Sequence, residues 1–336
     1  MGGPATLLGP PLESLRAGSC RTNVRCDARR GDVKTRRPGS RRASNGALLV
    51  LLAALLVATV HVSPARGTFP GGNGVIAYAY PDPEPQVDAA YLAFMTPDGQ
   101  YLDWTLRGYV PQRYAPSFSP DGRQLAYDGA GRALASIGVT SVPPKREALL
   151  TRPRGENYDA NAHWSPHGMS IAFERYVARR RDRFIYTKRV GDGALHLVAR
   201  GEDPAWSVRG EIAFVRYVRD RASIRVIGAS GGEIRTITQG ADAYSPSWSP
   251  DGSRVAFGQR GQIFTVGADG TGLAQLTVGR PRSSSPAFSP DGQSIVFARG
   301  AKYLAISPIA GGPLRMLRCE ERFCQVPDCQ PLPALP

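Results

Sequence analysis

A serine flanked by glycines is the first group in this 336-residue chain that could do chemistry. Residues 228–232 read Gly-Ala-Ser-Gly-Gly, which matches the Gly-x-Ser-x-Gly elbow that presents a nucleophilic serine in hydrolases. That elbow works only between a strand and a helix. Here the composition is that of a tight turn between two strands, and no histidine lies nearby in the sequence. We therefore predict a turn and not a nucleophile.

Histidine is the next candidate, because three histidines lie beyond residue 66: His163, His167 and His196. A metal site needs three or four converging ligands. His163 and His167 are four residues apart, but the residues around them predict a strand that runs into a turn. The two side chains then do not share one helical face. We predict a sheet residue at His163, a turn residue at His167, and no metal or other cofactor.

Four aspartates stand between a proline and a glycine, and as a group they could serve as carboxylates for acid–base catalysis. They are Asp98, Asp121, Asp251 and Asp291. Pro-Asp-Gly is also a tight-turn sequence, because proline presets φ and glycine accepts a positive φ. The four recur at long intervals, which predicts turns distributed around a rim and not one converging site.

Five aromatic residues occupy one position of a recurring motif and could stack on sugars or bases. They are Phe118, Trp164, Trp206, Trp248 and Phe288. Identical placement in every copy favours packing between repeated units over contact with a ligand. We predict that all five are core residues.

Two arginine-rich segments are the strongest candidates for a binding surface. The first contains Arg179, Arg180, Arg181 and Arg183, and the second contains Arg216, Arg219 and Arg221. Clustered positive charge attracts an acidic protein or an anionic polymer. The alternative is ordinary solvated charge on exposed loops.

Three cysteines lie close together near the end of the sequence, at Cys319, Cys324 and Cys329. A disulfide is expected in an oxidising compartment, and three thiols leave one unpaired. We favour Cys319–Cys324, because their short separation suits a bridge across a turn. Pairing through Cys329 stays open, since sequence does not fix connectivity.

An internal repeat predicts the elements that position these residues. Five segments combine an aromatic residue, a serine, a Pro-Asp-Gly-like turn and a short apolar run, and consecutive copies begin 40–46 residues apart. The aligned serines are Ser119, Ser165, Ser207, Ser249 and Ser289. A period of about 40–45 residues is typical of one four-stranded propeller blade. The two arginine segments then fall in equivalent loops of neighbouring blades, on one face.

A sixth copy appears when the two ends of the repeat region are joined. Residues 73–78 supply a second strand with no inner strand before it. Residues 326–331 supply the missing inner strand, with Cys329 in the aromatic position. A ring closed in this way leaves no free sheet edge. We predict an all-β fold, a six-bladed β-propeller closed by its C-terminal strand.

The repeated Trp/Phe-Ser-Pro-Asp-Gly motif and the Ile-Ala-Phe pattern after it resemble the TolB family of propellers. The resemblance covers about residues 70–333. It implies a propeller fold, and a fold of this kind serves many functions. The function therefore has to be argued from the residues.

A basic leader precedes the repeats. Residues 1–66 carry 11 Lys/Arg and 3 Asp/Glu, so most of the net charge of +14 lies there. Residues 47–60 are uncharged and mostly apolar, which is shorter than the roughly 20 residues of a membrane-spanning helix and suits a signal peptide. We predict a basic leader at 1–45, a signal peptide or uncleaved anchor at 46–66, and a propeller at 70–333.

These features predict an exported, non-catalytic binding or scaffold protein at the cell envelope, in the periplasm or outside the cell. Its partner would be a protein or an anionic polymer that contacts one propeller face, and we expect a monomer. Nucleic acid is disfavoured because the excess charge lies in the leader. A membrane would be contacted only through residues 47–60, if the leader stays uncleaved. The alternative is a small lyase- or hydrolase-type enzyme with its site in the central channel, which no set of residues in the sequence supports.

Overall fold

The computed structural model describes residues 71–81, 90–108, 115–130, 136–145, 147–191, 193–238, 242–319 and 324–332. The leader and the signal segment predicted within residues 1–66 lie outside the described residues. In the part of the chain that the structure describes, no helix is long and apolar enough to cross a bilayer.

The first three blades contain strands β1 to β11. Blade 1 begins with β1 (Gly72–Pro81), β2 (Ala90–Met95) and β3 (Tyr101–Gly108). Blade 2 contains β4 (Ser117–Phe118), β5 (Gln124–Ala130), β6 (Ser136–Ser141) and β7 (Glu147–Leu149). Blade 3 contains β8 (Tyr158–Trp164), β9 (Ser170–Val177), a one-turn 3₁₀ helix (Ala178–Arg180), β10 (Asp182–Arg189) and β11 (His196–Arg200).

The remaining strands complete the ring. Blade 4 contains β12 (Glu202–Trp206), β13 (Glu211–Val218), β14 (Arg221–Gly228) and β15 (Arg235–Thr236). Blade 5 contains β16 (Ala243–Trp248), β17 (Arg254–Gln259), β18 (Gln262–Gly267) and β19 (Ala274–Gln275). Blade 6 contains β20 (Ser283–Phe288), β21 (Ser294–Arg299), β22 (Tyr303–Pro308) and β23 (Arg315–Arg318), and it is followed by β24 (Gln325–Leu332).

The last strand belongs to the first blade. Blade 1 has the strand order β24-β1-β2-β3, and every pairing in it is antiparallel. Cys329 lies opposite Ile76 in this ladder, as Trp248 lies opposite Val255 in blade 5. The predicted six-bladed propeller and its closure by the C-terminal strand are confirmed.

Among the described residues, six apolar clusters hold the blades together, and each is shared by two neighbouring blades. Second strands serve two clusters at once, because successive residues of a strand point to opposite faces. Phe214 packs with residues of blade 3, and the next residue, Val215, packs with residues of blade 5. The apolar runs of the repeat are therefore continuous and do not alternate with polar residues.

The five aromatic residues of the repeat are core residues, as predicted, since at most 8% of any of them is exposed. Two tryptophans also tie blades together through hydrogen bonds. The indole nitrogen of Trp164 donates to the Ser117 carbonyl of blade 2 at 3.0 Å. The indole nitrogen of Trp248 donates to the Ala205 carbonyl of blade 4, also at 3.0 Å.

The Pro-Asp-Gly aspartates stabilise their own turns. Asp251 accepts a hydrogen bond from the Ser249 hydroxyl at 2.5 Å and one from the Ser253 backbone N–H at 3.0 Å. Asp121 and Asp291 accept equivalent bonds in their turns. The turn interpretation of these carboxylates is confirmed, and they do not converge on a common site.

The cysteines lie where blade 6 meets blade 1. Cys319 and Cys324 form a disulfide between β23 and β24, with their Cα atoms 6.2 Å apart. Cys329 is a buried free thiol in the apolar cluster of the same junction. Burial raises the pKa of the Cys329 thiol well above its usual value, so the thiol stays protonated and unreactive.

Candidate binding face and central channel

The two ends of the propeller differ in the segments that they carry. The turn face carries the Pro-Asp-Gly turns. The opposite end, called the loop face here, carries the loops between second and third strands. These loops are described for residues 178–181, 219–220, 260–261 and 300–302. Both arginine-rich segments therefore lie on the loop face, in neighbouring blades, as the repeat predicts.

The loop of blade 3 projects three exposed arginines, Arg179, Arg180 and Arg181. The 3₁₀ helix ends at Arg181, which has a φ of 48° and donates its N–H to the Ala178 carbonyl at 3.1 Å. The guanidinium of Arg180 lies 5.2 Å from the centre of the Phe184 ring. An ordered turn thus presents these three charges to solvent.

Arg183 is partly exposed, but its guanidinium is engaged by neighbouring side chains. Its guanidinium lies 3.4 Å from the Glu174 carboxylate and 3.1 Å from that of Glu202 in blade 4, and it donates to the Tyr158 hydroxyl at 2.8 Å. Burial alone would lower its pKa, but the charges of Glu174 and Glu202 raise it above its usual value. Arg183 therefore links blades 3 and 4, and its charge is already balanced.

The second arginine segment likewise contains both exposed and partly buried arginines. Arg219 and Arg221 are exposed at the turn between β13 and β14. Arg216 is partly buried, and one of its guanidinium nitrogens donates to the Arg200 carbonyl at 2.9 Å. Burial and the positive charges of Arg200 and Arg225 lower the pKa of Arg216, against the opposing charge of Asp182. Positive charge therefore outweighs negative charge around Arg216.

Exposed cations continue around the loop face beyond these two blades. They are Arg152, Arg154, Arg260, Arg280, Arg282 and Lys302. The exposed carboxylates of the same described segments are Glu156, Asp220 and Asp242. The described part of the loop face is consequently basic, which favours an anionic partner.

A narrow channel runs along the axis of the ring. Its cavity has a volume of about 90 Å³ and is lined by residues of all six blades. Prolines form much of the lining: Pro116, Pro204, Pro246, Pro286 and Pro327, with Ala162 in the equivalent place of blade 3. A space of this size holds a few water molecules, which excludes a large ligand.

Polar side chains in the channel connect alternate pairs of blades. The Asp328 carboxylate accepts the backbone N–H of Phe118 at 2.8 Å, joining blade 1 to blade 2. His163 Nδ1 accepts the N–H of Trp206 at 3.3 Å, joining blade 3 to blade 4. The Ser247 hydroxyl accepts the N–H of Phe288 at 3.3 Å, joining blade 5 to blade 6.

These channel residues have the composition of a catalytic triad but not its geometry. A triad needs the histidine to contact both the serine and the carboxylate. His163 Nδ1 instead receives a backbone N–H, and Ser247 and Asp328 accept backbone N–H groups of other blades. Burial lowers the pKa of His163 to about 4 and raises that of Asp328 to about 7.

A second polar layer surrounds Asn161 on the side of the channel nearer the loop face. The Asn161 side-chain amide donates to Glu174 at 3.0 Å and to Asp203 at 2.6 Å, and its backbone N–H donates to Asp128 at 3.0 Å. Burial and then the charge of Asp203 raise the pKa of Glu174 to about 7, and burial raises that of Asp128. Among the described residues no group of three His, Cys, Asp or Glu side chains could hold a metal ion.

Comparison with known proteins identifies the kind of propeller. No family model matches the chain. A stretch of 173 residues, 44% of this chain, is 30% identical to the Tol-Pal system protein TolB from Anaeromyxobacter dehalogenans (strain 2CP-C) and covers 39% of it. Crystalline TolB from Acinetobacter baumannii has a TM-score of 0.64 at 19% identity, over 77% of this chain and 67% of that one. The propeller is similar in fold to that of TolB.

A putative TolB from Agrobacterium tumefaciens extends the comparison, with a TM-score of 0.55 at 17% identity, over 73% of this chain and 89% of that one. At these identities the structural likeness describes the fold. The chain spans well under half the length of the curated relative that it matches. Its function therefore follows from its own surfaces.

The structure also places the three remaining chemical candidates, Ser230, His167 and His196. Ser230 is exposed in the turn between β14 and β15, where the Gly231 N–H donates to the Gly228 carbonyl at 2.8 Å. His167 is exposed in a turn of blade 3, and His196 is exposed on β11. The turn interpretations of Ser230 and His167 are confirmed.

The sequence analysis correctly placed His163 in a sheet, but it did not predict that ionisable groups converge on the channel, where His163, Asp203 and Asp328 all line the cavity. It also missed Asp128 and Glu174, although a signal was present. Each follows the aromatic residue of its second strand, where other blades have small or apolar residues. A carboxylate at a repeat position that is otherwise apolar marks a buried polar contact.

Proposed function

We propose that this protein is exported and acts at the cell envelope as a non-catalytic binding protein. It engages a protein or anionic polymer through its basic loop face. The observation that carries the proposal is that the arginines of blade 3 differ in whether their charge is paired inside the protein. Arg183 is balanced by internal carboxylates, whereas Arg179, Arg180 and Arg181 point from an ordered turn into solvent.

The contacts of the polar side chains in the channel fit a binding protein better than an enzyme. His163, Ser247 and Asp328 are engaged with backbone N–H groups of adjoining blades, so these side chains hold the ring together. The channel is also narrow. A channel-site enzyme would need the same groups to be directed at a substrate.

Export is supported by the leader and by the similarity to TolB. Residues 47–60 suit the apolar part of a signal peptide, and Ser63-Pro64-Ala65 places small residues before a cleavage point. The similar curated protein is named as a component of the Tol-Pal system. N-terminal sequencing of the fractionated protein should find a start near Arg66 outside the cytoplasm.

The partner proposal is tested by capture from an envelope extract at two salt concentrations. In the test variant, Arg179, Arg180 and Arg181 are replaced by serine. The matched control replaces three exposed arginines at turn-face ends of strands and turns, Arg123, Arg189 and Arg254. Exposed charge pairs are strongest at low salt, where screening is weak. At low salt we therefore expect the test variant to lose partner capture and the control to retain it. Equal capture by both variants would contradict the proposal.

A further inference from the structure

A groove on the loop face separates blade 3 from blade 4. It has a volume of about 210 Å³ and is called the 3–4 groove here. Its lining residues are Arg181, Asp182, Arg183, Arg200, Gly201, Glu202, Arg216 and Tyr217. Cations therefore outnumber carboxylates along its walls.

The strand register brings a further arginine to the same side of blade 4. Phe214 lies opposite Arg225, and Arg216 lies opposite Ser223, so these four side chains project from one face of the β13–β14 pair. Phe214 packs in the cluster shared with blade 3. Arg216 and Arg225 consequently face blade 3 together.

Arg225 is incompletely satisfied there. Its Nε is buried and has no hydrogen-bond partner among the described residues. A buried donor without a partner is costly, and more so when it carries charge. Such a group indicates a missing acceptor.

Nearby carboxylates are already engaged with other cations. Asp182 forms an ion pair with Arg200, and Glu202 forms one with Arg183. Among the described residues Arg216 donates to the Arg200 backbone carbonyl, and its pKa is lowered by burial and by the charges of Arg200 and Arg225, which outweigh the opposing charge of Asp182. In the part of the chain that the structure describes, neither Arg216 on the groove wall nor Arg225 beside it on the same strand face forms an ion pair with a carboxylate.

We propose that the 3–4 groove binds an oxyanion of the phosphate class, with Arg216 of the groove wall and Arg225, its neighbour on the same face of the β13–β14 pair, as its ligands. Guanidinium groups bind phosphate oxygens through paired N–H donors, and two adjacent positive charges match a doubly charged anion. The ligand is free phosphate or a phosphate ester of an envelope component. The inference rests on the proposed function, because the groove opens on the same loop face.

Titration calorimetry with inorganic phosphate, on the full chain at constant ionic strength, tests the site. We expect Arg216→Gln/Arg225→Gln to weaken phosphate binding at least about tenfold, because charge-assisted hydrogen bonds are lost. The charge-matched control Arg123→Gln/Arg254→Gln should bind as the parent does. Equal weakening in both variants, or in neither, would overturn the proposal.

A second variant decides the matter if the double substitution prevents folding. Ser223→Asp places a carboxylate opposite Arg216 on the same face, where it would act as a built-in ligand. We expect a higher melting temperature without phosphate and no further rise when phosphate is added. A melting temperature that still rises with phosphate as in the parent would overturn the proposal.

An experiment with lipid vesicles distinguishes the two sources of the anion. Phosphatidylglycerol vesicles that bind the parent but not Arg216→Gln/Arg225→Gln would assign the site to a lipid phosphate, and binding of inorganic phosphate alone would assign it to the free ion. Failure of this site and failure of the proposed function are distinguishable. Phosphate binding that persists while partner capture is insensitive to the Arg179, Arg180 and Arg181 substitutions would refute only the function.

Discussion

The backbone N–H of Phe118 donates to the Asp328 carboxylate across 2.8 Å, joining residues 210 positions apart. Asp328 lies on β24 and Phe118 on β4, so this bond connects the closing strand to the next blade. Burial raises the pKa of Asp328 to about 7. The junction therefore changes its charge near neutral pH.

A pH dependence of stability follows from Asp328. Its pKa rises from a usual value of 3.8 to about 7 on folding, so the folded chain binds more protons than the unfolded chain between those values. Stability contributed by this group is full below about pH 4 and is lost as the pH rises to about 7. We expect Asp328→Asn to flatten this loss and raise the melting temperature above pH 7, because the amide oxygen still accepts the Phe118 N–H.

The measurement is thermal melting of parent and variant from pH 4 to pH 8. His163 contributes the opposite slope, since burial lowers its pKa from 6.5 to about 4 and stability from it rises with pH between those values. The difference between variant and parent is therefore the readout. Asp328→Ala, which removes the acceptor, should melt lower throughout. Parallel curves for Asp328→Asn and the parent would show that Asp328 is not the titrating group.

Trp248 should be a structural residue and not a ligand contact. It is fully buried, and its indole donates to the Ala205 carbonyl. We expect Trp248→Ala to lower the free energy of unfolding by roughly 3–5 kcal/mol, as measured by urea denaturation. Trp248→Phe should cost less, because it keeps most of the buried volume. A stable alanine variant that has lost partner binding would reverse this assignment.

Removing the closing strand should expose a sheet edge. Without residues 325–336, β1 has no inner partner and Phe118 loses its acceptor. We expect a lower melting temperature and self-association in gel filtration, because an open strand edge pairs with other chains. Deletion of residues 333–336 alone is the control. A monomer that melts like the parent after the longer deletion would refute the closure mechanism.

Two arginines of the same segment should differ in their effect on stability. Arg183→Ala removes contacts to Glu174, Glu202 and Tyr158, and we expect a loss of about 1 kcal/mol, because 43% of the side chain is exposed to solvent and screened. Arg179→Ala should stay within about ±0.5 kcal/mol. Urea denaturation of both variants makes the comparison. Equal free energies of unfolding for the two variants would show that Arg183, like Arg179, is a solvated arginine without a structural role.

The repeat made the fold predictable. Each copy of the repeat contains the residues of a turn, a second strand and a buried aromatic position. The assignment of one blade therefore predicts the other blades. Closure was also visible, because residues 326–331 complete a copy that lacks its inner strand. Blade-to-blade packing follows from apolar runs that serve two clusters.

The channel and the arginines were less predictable. Whether an inner-strand side chain such as Asp328 reaches the next blade depends on the bulge beside it, where Val326 has a φ of 47°. A local pattern does not encode that bend. Likewise Arg183 and Arg180 look equivalent in sequence. Contacts of Arg183 with Glu174 and Tyr158 in its own blade and with Glu202 in the next blade distinguish it from Arg180.

The closing strand also sets the order of events during biosynthesis. β24 is the last of the described strands to leave the ribosome, and its partner β1 is the first. Blade 1 thus lacks its inner strand until nearly all of the propeller has been translated. Contacts between the chain's most distant segments form slowly. A ring that cannot close early stays open for passage through a secretion pore, which is consistent with the export that we propose.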